Sequence, residues 1–169
     1  MKHKLLLLYS WFIRIFLFIL PDIPLIMRIR GSFYGLFMNK SGHDFQVSAS
    51  TNLRGIQNIS VGDNVYFAPG VFINARGKVD IESEVQVGIN SVIVSSTHLL
   101  KNGSYRFHHT SESIHIGYGS WIAANCTMVA GSRLPQSSVL AANSVITKKL
   151  SEAGVYGGVP AKLITKNSI

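Results

Sequence analysis

Four of the six histidines in this 169-residue chain, His98, His108, His109 and His115, fall within one short stretch, and the first closes the tripeptide Ser96-Thr97-His98. An imidazole can accept a hydroxyl proton near neutral pH or ligate a metal through a ring nitrogen, so both chemistries are open here. Between His98 and His115 the chain reads LLKNGSYRFHHTSES over 99–113, unlike its surroundings. Lys148, Lys162 and Lys166 gather toward the C-terminal end, where cations would meet phosphate oxygens or simply face solvent. The single cysteine, Cys126, matches no nucleophile motif and sits at a small, inward-tending position, which assigns it to packing. It excludes an intramolecular disulfide and fits a reducing compartment such as the cytoplasm.

What positions these residues is a repeat with a period of six. Val61-Gly62-Asp63-Asn64-Val65-Tyr66 is followed by Phe67-Ala68-Pro69-Gly70-Val71-Phe72, and the phase resumes at Ile81, Val87 and Ile93. After the interruption it returns at Ile116, Ile122, Met128, Leu134, Leu140 and Ile146, with a small residue such as Ser120, Cys126 or Ser138 four places on. From Val47 to Phe67 the offset is twenty rather than eighteen, so the first turns carry a two-residue corner insertion. Three units of six make a triangular coil; one coil cannot bury its own apolar face, but a stack can. The expectation is a stacked parallel β-solenoid from which 99–113 projects as an arm. Periodicity does not fix its handedness.

Before the repeats, residues 5–20 form an almost unbroken apolar run, LLLLYSWFIRIFLFIL, ending at Pro21-Asp22-Ile23-Pro24. Sixteen helical residues cover roughly 24 Å, short of the ~30 Å hydrocarbon core, and the central Arg14 would cost about 2.5–3.5 kcal/mol on insertion scales. A clean span is disfavoured. Up to residue 40 the basic residues Lys2, Lys4, Arg14, Arg28, Arg30 and Lys40 face Asp22 alone, which suits anionic lipid. Packing on the chain's own core or on a neighbouring subunit is the alternative. No small-residue cleavage site follows the run, against a secretory signal. The division expected is 1–44 as an apolar, basic helical segment and 45–169 as the solenoid with arm 99–113 and a C-terminal tail. A hydrophobic fraction of 47% with 14% charged residues excludes a disordered polar chain. The net charge of +8 suits an anionic membrane, a nucleic acid or a phosphorylated cofactor.

The region from Val47 to Lys166 resembles the hexapeptide-repeat acyltransferases, and within them the galactoside and maltose O-acetyltransferases. The likeness rests on Ser96-Thr97-His98, Ile116-Gly117-Tyr118-Gly119-Ser120-Trp121-Ile122, Ile146-Thr147-Lys148 and Gly158-Val159-Pro160-Ala161-Lys162. The apolar, basic N-terminal segment followed by 31–42 is more similar to the branch that modifies capsular or lipopolysaccharide sugars. The resemblance implies a left-handed parallel β-helix, a homotrimer with sites between subunits, and acetyl transfer from acetyl-coenzyme A to a sugar hydroxyl. It makes His98 the general base, Trp121 the aromatic beside the thioester, and Ala124 and Ala142 small bends along which pantetheine runs. It gives the coenzyme's phosphates to Lys148, Lys162 and Lys166. Arg76, Tyr105 and His108 are placed toward the acceptor. Where galactoside enzymes present an asparagine and an aspartate to the sugar, this chain has Ala68 and Arg76, which puts a simple galactoside in doubt and suits an acidic or phosphorylated glycan.

The acceptor expected is therefore a cell-surface polysaccharide or lipid-linked glycan precursor, met at the cytoplasmic face of the membrane, with no metal and no nucleic acid. An antibiotic or other small amphiphile is a second acceptor class, and a non-enzymatic scaffold a third reading that leaves the histidine-loop-tryptophan arrangement unexplained. The γ-class carbonic anhydrases share the solenoid and bind zinc through three histidines, but the histidine spacing here does not resemble theirs.

Overall fold

In the computed structural model, which describes residues 2–166, two helices precede a parallel β-solenoid. Helix α1 spans Lys2–Phe18 and helix α2 spans Pro24–Gly35, the latter starting at a proline whose missing N–H costs nothing in a first turn. The solenoid is a left-handed β-helix of five full coils with a sixth begun. Its first face stacks Lys40–Ser41, Ile59–Val61, Val79–Ile81, Ile114–Ile116 and Arg133–Leu134. The second stacks Gln46–Val47, Tyr66–Phe67, Gln86–Val87, Trp121–Ile122, Val139–Leu140 and Gly154–Gly157, and is closed by the antiparallel strand Lys162–Lys166. The third stacks Asn52–Arg54, Phe72–Asn74, Val92–Val94, Thr127–Val129 and Val145–Ile146. The first paired strand thus begins at Lys40, a few residues before the expected boundary at 44.

The inward position of each unit makes the core. Val47, Phe67, Val87, Ile122 and Leu140 stack in register from the second face, and Leu53, Ile73, Ile93, Met128 and Ile146 from the third; all are buried. The small corner residues are buried too and bond to the next coil: Ser120 Oγ donates to the Pro135 carbonyl and Ser91 Oγ to that of Ala123. Cys126 joins them, with Sγ 3.1 Å from the Ala141 carbonyl oxygen, and burial pushes its thiol up from the usual range.

The offset of twenty has a definite location. In every one of the first three coils the extra residues lie at the corner between the third and first faces. The first coil fills that corner with a short 3-10 turn, Ile56–Asn58; the second places Arg76 there; the third inserts the whole arm. Arg54 is in register with Asn74 and Val94, and Arg76 and the arm that begins with Ser96–His98 leave the second and third coils just beyond those positions, at the same corner.

The helices close the start of the stack. Leu6, Ile13 and Tyr34 join the solenoid core, and Gly31 lies so close to the first coil that a Cβ would stand 1.8 Å from the Phe45 carbonyl oxygen, so only glycine fits. Arg30, 2% exposed, locks this joint. Its guanidinium donates to the Leu17, Leu20 and Val47 carbonyls and pairs with Asp22 at 2.6 Å, satisfying the orphan carbonyls at the end of α1. Asp22 in turn accepts from Ser48 Oγ and the Ala49 N–H. Burial works to raise the Asp22 carboxyl, but the bonds from Ser48 and Ala49 and the charge of Arg30 outweigh it and hold it below the ordinary carboxylate value.

Candidate functional site

His98 ends the strand Ser96–His98, which pairs antiparallel with His109–Ser111 and sets His98 opposite His109. Beyond them the arm continues as a hairpin whose tip, Asn102-Gly103, has both residues at positive φ, with Lys101 and Ser104 exchanging two backbone bonds across it. Asn-Gly is the dipeptide that such two-residue turns demand. An ideal turn there would set His98 opposite Phe107. The observed partner is His109, so two residues are taken up in the returning strand, and the Tyr105 carbonyl turns in to lie 2.9 Å from His98 Nδ1.

That contact selects the tautomer of the neutral ring. Nδ1 carries its proton toward the Tyr105 oxygen, which leaves Nε2 as a bare acceptor on an exposed side chain. The His109 ring lies 6.5 Å away, centroid to centroid, and its Nε2 is 2.7 Å from Arg76 Nη1. Because a guanidinium only donates, His109 Nε2 accepts from Arg76 and the ring is neutral with its proton on Nδ1. The Arg76 backbone is itself pinned, since Asn58 Nδ2 donates to the Ala75 and Arg76 carbonyls. Arg76, His98 and His109 thus form one cluster, reached from two coils.

The remaining predicted residues separate into two groups. Tyr105 and His108 lie on the arm: their carbonyls brace it through His98 and the Leu99 N–H, while their side chains are exposed. His115 is outside the cluster, on the first face, 3.1 Å from Glu82. Trp121, 51% exposed, stands on the second face, and Ala124 and Ala142 line the corner between the second and third faces. At that corner the Asn125 and Asn143 N–H groups bond to the coil stacked beside them, but the N–H groups of Ala124 and Ala142 donate to no carbonyl among the described residues. Small side chains over unclaimed backbone donors are what a polar, chain-like ligand needs in order to lie against a coil. Lys148 and Lys162 are exposed, and Lys166 pairs with Glu152, whose hydrogen bond and charge push its ammonium up. No three His, Cys, Asp or Glu side chains converge as a metal site among the described residues.

Within one chain the His98 corner and the Ala124 corner are separated by a whole side of the prism, six extended residues or roughly 20 Å. No sequence pattern singles out His109. Asn102-Gly103 signals the hairpin that brings it near His98, but only the irregular return strand sets the pairing.

No family model matches the chain. A Staphylococcus aureus (strain COL) protein with an acetyltransferase name is 30% identical over 115 residues, which is 64% of this chain and 55% of that protein. An Escherichia coli (strain K12) protein that carries a lipopolysaccharide biosynthesis O-acetyl transferase name is 25% identical over 118 residues, 60% of each chain. The chain thus spans little more than half the length of the curated relatives it matches. Among solved structures, the hexapeptide-repeat acetyltransferase of Vibrio cholerae complexed with acetyl coenzyme A superposes with a TM-score of 0.85 at 19% identity, covering 96% of this chain and 87% of that one. A maltose O-acetyltransferase of Clostridium difficile 630, at 22% identity and a TM-score of 0.80, and a galactoside acetyltransferase in complex with coenzyme A, at 21% and 0.85, share the fold. The chain has the fold of the hexapeptide-repeat acetyltransferases.

Proposed function

We propose that this chain is an acetyl-coenzyme A-dependent O-acetyltransferase acting on a glycan hydroxyl, with His98 as general base and with its site shared between subunits of a homotrimer. The observation that carries the reading is the His98 ring held at Nδ1 by the Tyr105 carbonyl, with Nε2 exposed and free to accept. Acetyl-coenzyme A supplies an activated acyl carbon. As the acceptor oxygen attacks that carbon, its proton passes to His98 Nε2; the C–O bond forms, the C–S bond breaks, and His98 returns the proton to the departing sulfur. Ala124 N–H, unclaimed by the fold, is the donor we assign to the developing oxyanion, with Trp121 beside the thioester and Ala142 further along the carrier. Lys148, Lys162 and Lys166 take its phosphates. The prism side between the two corners is why a neighbouring subunit must bring them together, and Leu99, Leu100, Tyr105 and Phe107, all exposed on the arm, are apolar enough to hold it there. For the acceptor we assign Arg76, Tyr105 and His108, and an acidic or phosphorylated sugar of a cell-surface polysaccharide or lipid-linked precursor, which the lipopolysaccharide name of the Escherichia coli relative supports.

Acetyl transfer to glycans, followed by mass spectrometry, tests this directly. His98→Ala should lower kcat by about 10²–10⁴-fold with coenzyme A affinity nearly unchanged, whereas Trp121→Ala should raise the KM for acetyl-coenzyme A. Retention of more than a tenth of kcat in His98→Ala would assign the base elsewhere.

A further inference from the structure

The two helices are inside out. In α1 the residues turned to the coils are Leu6, Ser10, Ile13 and Leu17, with half-buried Arg14 beside them, while the solvent side carries Leu5, Leu8, Trp11, Phe12, Ile15, Phe16 and Phe18, followed just past its end by Ile19. A helix on a globular surface shows the reverse, polar side chains out. Phe16 is 67% and Ile19 85% exposed, far from the scattered single exposures that need no explanation. The patch continues onto α2: Phe33 shares one apolar groove with Phe12 and Phe16, and another with Leu25, Ile29 and Leu36.

The charges lie where a surface contact would use them. Arg14 does not point into the apolar side, as its place in the sequence suggests, but into a groove of about 310 Å³ between α1 and the first coil, lined also by Trp11, Asn52 and Arg54. Neither Arg14 nor Arg54 has an acidic partner among the described residues, and the two acids of residues 1–44 are already held, Asp22 by Arg30 and Asp44 by Arg28. Two unopposed guanidiniums beside an indole at the edge of an apolar face are built for the phosphate of an anionic lipid, with the rings entering the acyl boundary.

We infer that the outer face of α1 and α2 is a membrane-docking surface for anionic lipid, and that the Arg14–Arg54 groove seats a lipid phosphate at its rim. Arg54 ends the first coil at the corner that carries Arg76 on the second and His98 on the third. Arg54 is in register with Asn74 and, through it, with Val94, so at about 4.8 Å per strand Val94 stands roughly 10 Å above Arg54, and His98 follows four residues later where the arm leaves that coil. A saccharide attached to a lipid phosphate in the groove would run up this corner past Arg76 to the base. That last step rests on the acetyltransferase reading; the docking does not.

Sedimentation of the full chain with phosphatidylcholine vesicles, with or without 30 mol% phosphatidylglycerol, separates the possibilities. Binding should require the anionic lipid and weaken with salt. Arg14→Gln with Arg54→Gln should lower affinity for anionic vesicles roughly fivefold per arginine, and unchanged affinity would overturn the groove assignment. Phe16→Glu with Ile19→Glu should abolish binding, with unaltered sedimentation velocity and melting temperature. Loss of oligomers in that variant would show that the face meets a second copy of the chain, and retained vesicle binding would show that it meets nothing; either result overturns the docking. Since sedimentation reads no acetyl transfer, it stands or falls apart from activity.

Discussion

The coils and the helical cap use similar apolar residues to opposite ends. Along the coils every third-face and second-face unit sends one apolar or aromatic side chain inward, and outside the arm and the C-terminal strand pair only Ile89, Tyr118 and Trp121 remain as exposed large apolar side chains in the stack. In the cap, fourteen residues from Leu5 to Phe37 remain so. A solenoid extends by stacking and has no apolar surface except at its ends. The cap closes one end and then presents its own apolar side outward, so burial within the chain does not explain its composition. The difference separates residues kept for stability from residues kept for contact.

The comparison breaks first, and hardest, at the joint. Asp22→Ala takes from Arg30 its carboxylate and from Ser48 and Ala49 their acceptor; Asp22 is itself 34% exposed and Arg30 keeps its carbonyl acceptors, so the loss is that of charged hydrogen bonds, about 3 kcal/mol. The expected outcome is release of the cap with the coils still formed, read as early hydrogen exchange of α1 and α2 against protected strands. The joint also carries a pH dependence. The Asp22 carboxyl is lowered in the folded chain, so its contribution is complete above the unfolded carboxylate value and is lost as pH falls through the folded one. Acid should therefore loosen the cap before it touches the coils, whose cores hold no carboxylate. Simultaneous loss of both regions would deny that they are separable.

A smaller effect sharpens the contrast between the two apolar populations. Ile122→Ala removes a fully buried side chain between Val87 and Leu140 and should cost about 2–5 kcal/mol. Phe16→Ser removes a larger side chain from the exposed face and should change stability by no more than about 0.5 kcal/mol. Thermal melts without lipid test both. A comparable loss in Phe16→Ser would mean that the cap face is a core position after all.

Much of this was readable in advance, for a physical reason. A period of six is imposed by the coil on every unit, so the phase from Val61 to Ile146 carries the prism, its inward residues and the interruption that becomes the arm. The corner insertion was readable too, although that it always occupies the His98 corner emerges only when the strands are paired. Less legible were features made by two distant segments meeting. Asp22 reads as one acid among six basic residues, yet it is the counter-ion of Arg30; Arg14 reads as a flaw in an apolar helix, yet it turns to the coil groove. Handedness lies outside what periodicity encodes, and the pairing of His98 with His109 depends on an irregular strand that no pattern announces.

The arm belongs to neither region, and its tip provides the mildest test. Gly103 has φ of 74°, and an added Cβ there would meet nothing within 4 Å, so Gly103→Ala introduces backbone strain and no clash. An L-residue in the left-handed region costs about 1–2 kcal/mol. Because 102–103 close a turn bonded through Lys101 and Ser104 and lie outside the coil sheets, that strain should leave the melting temperature of the coils unchanged and act on the arm alone. It shifts the arm toward conformations in which the Tyr105 carbonyl no longer holds His98 Nδ1, so turnover should fall severalfold, well short of the loss in His98→Ala, with the KM for acetyl-coenzyme A unmoved. Gly103→Asn, better tolerated at positive φ, should recover most of the rate. A fall in turnover that Asn does not relieve would place the tip in contact with the acceptor or a neighbouring subunit. An unchanged rate in Gly103→Ala would separate the turn from the ordering of His98.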